Sequence, residues 1–141
     1  MCKQLCRSFA VSLGCLAFVV AGCSQELPKK EAYPTRGRVL LHGKPVSFAA
    51  IRLDPTDPAQ GMPADGTTDA DGMFELRTYS NEEPDGVVPG SYEVVLNDPS
   101  DDISVPMPKG AKPTKIPKEI SRTGVIVQIV AGDNELDIKI P

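Results

Sequence analysis

The sequence predicts an all-β fold, a sandwich of about seven strands preceded by a cleaved helical signal segment. Three observations carry this. Apolar and polar residues alternate over short stretches from residue 36 to the end, turns rich in Gly, Pro and Asp separate those stretches, and nothing after residue 34 repeats its apolar residues with a helical period. Short strands joined by turns, without helices between them, bury their apolar faces as a sandwich or a barrel.

The first 22 residues have the parts of an export signal. Lys3 and Arg7 charge a short leader, residues 9–20 are apolar, and Ala21 and Gly22 are the small residues of a cut site. The apolar run is shorter than the ~20 residues of a membrane-spanning helix. Val20-Ala21-Gly22-Cys23 resembles the bacterial lipoprotein signal at all four positions. The resemblance implies cleavage between Gly22 and Cys23, a diacylglyceryl thioether on Cys23, and attachment to a membrane through that lipid. Ser24 follows where an aspartate would favour the inner membrane, so the outer membrane is the expected address. Several acyl chains, at about 0.8 kcal/mol per buried methylene, make a stable anchor.

Cleavage settles the cysteines and the charge. Cys2, Cys6 and Cys15 leave with the signal and Cys23 carries lipid, so the mature domain has no thiol for a disulfide, a metal site or a nucleophile. The full chain has 15 basic and 19 acidic residues; losing Lys3 and Arg7 leaves 13 and 19, a net charge of −6. An acidic domain is a poor match for nucleic acid, whose phosphates need a basic face. The charge is also segregated. Residues 54–102 hold thirteen acidic residues against Arg77 alone, and residues 109–122 hold five basic residues against Glu119 alone. Such segregation suits a solvated surface, or an acidic face with a basic loop that meets its own domain or an anionic partner.

Residues 23–34, polar and carrying Pro28, Lys29, Lys30 and Pro34, read as a tether; residues 35–141 form the domain. Residues 36–41 make a strand, and His42-Gly43-Lys44-Pro45 a hairpin turn. Ala49, Ile51 and Leu53 alternate with Ala50 and Arg52 as a half-buried strand, and residues 54–66, with three prolines and two glycines, form a loop. Phe74, Leu76 and Thr78 alternate next. Tyr92, Val94 and Leu96 follow the Pro89-Gly90 turn. Val125, Val127 and Ile129 make one more strand, and Leu136, Ile138 and Ile140 the last, with Gly132-Asp133-Asn134 expected as a hairpin turn between them. The alternating apolar residues, joined by Val39, Leu41 and Val46, are the expected core. Residues 99–117, with five prolines and no alternation, are too long for an ordinary connection and read as a mobile loop or an extended strap.

Gly37-Arg38-Val39, Gly43-Lys44-Pro45-Val46 and Ala50-Ile51-Arg52-Leu53 resemble the opening of carboxypeptidase regulatory-like domains. The run from Thr68 through Asp69-Ala70-Asp71-Gly72 to Phe74 and Leu76 resembles their T-D-x-D-G-x-F-x-L segment, and Pro89-Gly90-Ser91-Tyr92-Glu93-Val94 their P-G-x-Y-x-V segment. The resemblance implies a transthyretin-like or Ig-like sandwich used as an accessory or adhesive unit, and it transfers no catalytic residue. Small bacterial lipoproteins of this kind also carry a stretch like Ile116-Pro117-Lys118 before their last two strands.

Candidate chemistry is sparse. His42, the only histidine, falls in a turn, and no nucleophile elbow, Cys/His pair or His-rich metal motif is present. Transthyretin-like hydrolases of ureide metabolism end in Tyr-Arg-Gly-Ser and use several histidines, whereas this chain ends Ile138-Lys139-Ile140-Pro141. Asp65, Asp69 and Asp71, with Glu75 beyond, offer hard oxygens suited to calcium. Set on an EF-hand loop, however, Asp69, Asp71 and Gly72 put Thr67 and Thr78 where carboxylates belong, so a plain turn is expected and no metal or cofactor is assigned. The expected function is a non-enzymatic, lipid-anchored envelope module that structures or binds an envelope protein or glycan. The alternative is a small-ligand, glycan or calcium-binding lipoprotein using loops 54–66 and 98–118 at one end of the sandwich.

Overall fold

The structure is a computed structural model that describes residues 29–79, 85–98 and 107–141. The signal segment, Cys23 and residues 99–106 lie outside the described residues. Eight strands form two four-stranded sheets of a β-sandwich. They are β1 (Thr35–Leu41), β2 (Lys44–Pro45), β3 (Ala50–Pro55), β4 (Ala64–Thr67), β5 (Met73–Glu75), β6 (Gly90–Asn97), β7 (Arg122–Ile129) and β8 (Asn134–Ile140). In the first sheet β8 runs parallel to β1 along its whole length, and β5 and β2 share the other edge of β1. The second sheet is antiparallel in the order β4-β3-β6-β7.

Alternation places the core as the sequence predicts. Ile51 and Leu53 point inward from β3, Tyr92, Val94 and Leu96 from β6, and Ile138 and Ile140 from β8, all buried. Val39, Val46, Phe74 and Leu76 join them, while Val125, Val127 and Leu136 are only partly covered. Strict alternation fails once. Val94, Val95 and Leu96 are buried in succession because the β6–β7 register shifts between Glu93 and Val95. The Thr123 hydroxyl donates to the Val94 carbonyl at 2.7 Å, occupying an acceptor at the bulge.

Three connections differ from the sequence reading. Loop 54–66 is shorter than expected, because β3 runs on to Pro55 and Ala64 begins β4. Gly132-Asp133-Asn134 is a crossover between sheets rather than a hairpin, since β7 pairs with β6 and β8 with β1. Buried Asn134 closes this crossover: its amide donates to the carbonyls of Val130 and Gly132, and its oxygen accepts from the Val130 N–H. Residues 29–33, within the expected tether, lie against the sandwich. Lys30 Nζ donates to the carbonyls of Ala59 and Gln60, its backbone N–H donates to the Tyr79 hydroxyl, and Tyr33 exchanges backbone hydrogen bonds with Val87.

Tyr92 ties this end together. It is fully buried, and its hydroxyl donates to the Val88 carbonyl at 2.6 Å and accepts from the Met62 N–H at 3.3 Å. Tyr92→Phe is expected to cost about 1–3 kcal/mol, because the Val88 carbonyl loses its partner; a lower urea midpoint at unchanged slope would show this. Burial pushes the Tyr92 phenol above its ordinary range, against the opposing pull of the Met62 hydrogen bond. The unfolded chain therefore ionises first, and stability falls as the pH rises past about 10. That fall should be smaller in Tyr92→Phe.

Candidate functional site

His42 stands at the tip of the β1–β2 hairpin with φ 50°, followed by Gly43 at φ 77°. Two consecutive positive φ values are the mark of the tight turn whose twist matches that of a hairpin. The His42 side chain is exposed, and its backbone N–H donates to the Ile140 carbonyl. A general base needs a second group to orient it and a pocket that excludes water; the turn supplies neither.

The acidic residues are placed separately. Asp69 Oδ1 accepts from the backbone N–H groups of Asp71 at 2.8 Å and Met73 at 2.9 Å, which makes it the internal clamp of the turn before β5. Asp71 is exposed on that turn. Asp65 lies on β4 and faces Arg52 at 3.6 Å. Among the described residues no group of three metal-ligating side chains converges. Glu75, Asp69 and Thr67 line an open groove of about 480 Å³ where β4 and β5 part, together with Arg36, Arg77 and Phe74. A smaller cleft of about 240 Å³ beside it is shared by Arg36, Glu75, Asp133 and Asn134. In both, carboxylates and guanidinium groups occur together, so neither presents charge of a single sign.

Three acidic residues of the stretch 54–102, Asp54, Asp65 and Glu93, are paired on the outer face of the second sheet. Arg52 on β3 pairs with Asp54 at 2.7 Å as well as with Asp65 on β4, and Arg122 on β7 pairs with Glu93 on β6 at 2.7 Å and with Asp54 at 4.0 Å. This line of charges crosses all four strands. Its members are solvent-exposed or half-buried, and such pairs contribute about 0–1 kcal/mol each. Asp85 holds the backbone N–H groups of Thr78 and Tyr79 through its two oxygens.

The described parts of the two loops assigned to one end of the sandwich lie at opposite ends of β3. Residues 56–61 follow β3 and sit beside Tyr92 and Lys30. The described part of the other loop, residues 107–118, packs at the far end of β3. There the Thr114 N–H donates to the Ser47 carbonyl, the Ser47 N–H donates to the Thr114 hydroxyl, and Ile116 is buried in the core. Over these residues the segment is a strap, held by these hydrogen bonds and the buried isoleucine. The described parts of the two loops are separated by the length of β3. Lys109, Lys112, Lys115 and Lys118 are exposed along the strap. Their three-residue spacing is visible in the sequence, whereas the burial of Ile116 between them is visible only in the structure.

Among the described residues, no helix is long and apolar enough to cross a membrane. No family model matches the chain, and no curated protein matches it. Similar solved structures include a DUF3823 family protein from Parabacteroides merdae ATCC 43184, with a TM-score of 0.44 and 15% sequence identity over 79% of this chain and 47% of that one. The chain thus spans about half the length of that protein.

Proposed function

We propose that this chain is a lipid-anchored, non-enzymatic module of the cell envelope. It is a carboxypeptidase regulatory-like β-sandwich held by lipid on Cys23, with the outer membrane as its address, and it binds a partner without turning it over. One observation supports the non-catalytic part: among the described residues, most of the carboxylates in the central stretch are engaged in holding the fold, and the histidine stands alone. Asp69 and Asp85 clamp backbone amides, Asp54, Asp65 and Glu93 pair with arginines across the second sheet, and His42 is exposed on a hairpin tip. The cleavage and anchor rest on the Val20-Ala21-Gly22-Cys23 motif.

The full chain, extracted in neutral detergent, should hydrolyse no ester, peptide, glycoside or ureide substrate above background. His42→Ala should leave both thermal stability and partner binding unchanged. Reproducible turnover that disappears in His42→Ala would contradict the non-enzymatic reading.

A further inference from the structure

We infer that the docking of residues 29–33 turns one end of the sandwich, the end carrying residues 56–62 and 130–132, toward the bilayer. The opposite end, with the β1–β2 hairpin and the strap, is then the end presented to a partner. This names the membrane-facing surface of the lipid-anchored module proposed above and rests on that reading.

The docking is built from several separate contacts. Lys30 Nζ donates to the carbonyls of Ala59 at 2.8 Å and Gln60 at 2.9 Å, and the Lys30 backbone N–H donates to the Tyr79 hydroxyl at 2.8 Å. Lys29 Nζ lies 5.7 Å from the centre of the Tyr79 ring, within the range of a cation–π contact. Tyr33 and Val87 exchange backbone hydrogen bonds of 2.9 and 2.8 Å. The N–H groups of Gln60 and Gly61 both bond to the Asp57 carbonyl and close one turn, and the carbonyls that Lys30 takes are the last of that turn.

These contacts gather at one end of the fold. β3 ends at Pro55 just before the turn over residues 57–61, β1 begins at Thr35 and β6 begins at Gly90. The same strands have their other ends on the far side. β1 runs into the His42-Gly43 turn, where the His42 N–H bonds to the Ile140 carbonyl at the end of β8, and Ala50 of β3 pairs with Asn97 of β6. Ser47, joined to Thr114, precedes β3 on that side. The seven residues of β1, at about 3.3 Å each, set the two ends about 20 Å apart.

Reach decides what the docking does. Cys23 precedes Lys30 by seven residues and Thr35 by twelve. At about 3.6 Å per residue, a chain free as far as Thr35 would extend about 43 Å, twice the length of β1, and would let the lipid lie beside either end. With Lys30 held, the chain back to Cys23 extends about 25 Å at most, and it starts from the 56–62 end. Only a fully stretched chain would then bring the hairpin to the bilayer.

The exposed groups at the two ends agree. Val130 is 55% exposed and follows Ile129, which pairs with Gly90, so it stands at the docked end. Ala131 and Gly132 after it are exposed, as are Pro58 and Ala59 on the neighbouring loop. Asp57 is turned to its own loop, accepting from the Ala59 N–H, and Asp133 lines the cleft that holds Arg36. The far end exposes His42, Lys44, Lys109 and Lys112. Small apolar loop tips lose little on approaching a bilayer, whereas an ammonium group is costly to strip of water.

The test reads distance to the bilayer. Residues 24–141 hold no cysteine, and a lipidated Cys23 has no thiol. Gln60→Cys at the docked end and Lys44→Cys in the hairpin, both exposed positions, therefore each take one maleimide donor dye. The full chain, extracted from membranes in neutral detergent, is reconstituted into phosphatidylcholine vesicles with an acceptor dye on the headgroups, and energy transfer to the vesicle surface is measured. Flotation is read first: a chain that does not float with the vesicles contradicts the anchor and this inference together. In a floating chain, transfer from position 60 should be at least about twofold that from position 44, given the separation of about 20 Å along β1. Lys30→Ala should narrow that ratio, and K30A/Y79F should bring it close to one, with a melting transition showing that each variant is folded. Equal transfer from the two positions in a floating chain, greater transfer from position 44, or a ratio that both folded variants leave unchanged would overturn the inference and leave the anchored-module reading standing.

Discussion

Gly72→Val is expected to destabilise the domain more than any substitution of the carboxylates around it. Gly72 has φ +76°, and a Cβ built there would lie 2.7 Å from the Val39 carbonyl oxygen and 3.1 Å from the Val46 N. A β-branched residue held in that region costs about 1–3 kcal/mol from backbone conformation alone. The clash adds to this, because the oxygen belongs to β1, the strand at the centre of the first sheet, and cannot swing aside as a flexible side chain would. The Gly72 carbonyl also accepts from the Val39 N–H at 2.9 Å, so moving the turn puts this bond at risk. Asp69→Ala should come second, since two backbone N–H groups lose a charged acceptor on an exposed turn. Asp71→Ala should come last, because its side chain is exposed. Urea denaturation of the three variants gives the order. If Asp71→Ala were the most damaging, and only with calcium present, residues 69–72 would be a metal loop.

The same turn shows how much of the fold was legible in the sequence. Asp-x-Asp-Gly before an alternating stretch specifies a local hydrogen-bonding pattern, and the structure has it. Period-2 alternation likewise located β3, β6 and β8 and nearly all the core, since a half-buried strand writes its two faces directly into the chain. Pairing partners were not legible. The parallel match of β1 with β8 and the passage of residues 130–134 between sheets depend on residues far apart in sequence, and Gly132-Asp133-Asn134 reads the same in a hairpin as in a crossover. Ala64-Asp65-Gly66-Thr67 is a strand because Arg52 and Ile51 on β3 offer it an edge, not because its own residues favour one. The docking of residues 29–33 was hidden for a related reason. Lys30 is bound by backbone carbonyls at positions 59 and 60, and carbonyls leave no mark in a sequence. For the candidate sites, the exposure of His42 followed from its turn, whereas the anchoring of residues 107–118 needed the contacts of Thr114 and Ile116.

Cys23→Ala is expected to have the largest effect on where the protein resides. Residues 24–141 hold no other cysteine, and among the described residues no helix is long and apolar enough to cross a membrane. Removing the thiol removes the proposed site of acylation, so the variant should leave the membrane fraction and lose labelling by a fatty-acid probe. Its folding should be untouched, because Cys23 is not among the residues that build the two sheets or their core. The melting transition of the released chain should therefore match that of the wild type. A Cys23→Ala chain that stayed in the membrane fraction with undiminished label would contradict the anchor.

The proposal of a lipid-anchored module meets its most direct test in the intact mass of the chain extracted from membranes. The expected mass is that of residues 23–141 with a thioether-linked diacylglyceryl group on Cys23. A mass that retained residues 1–22, or that showed Cys23 unmodified, would contradict it.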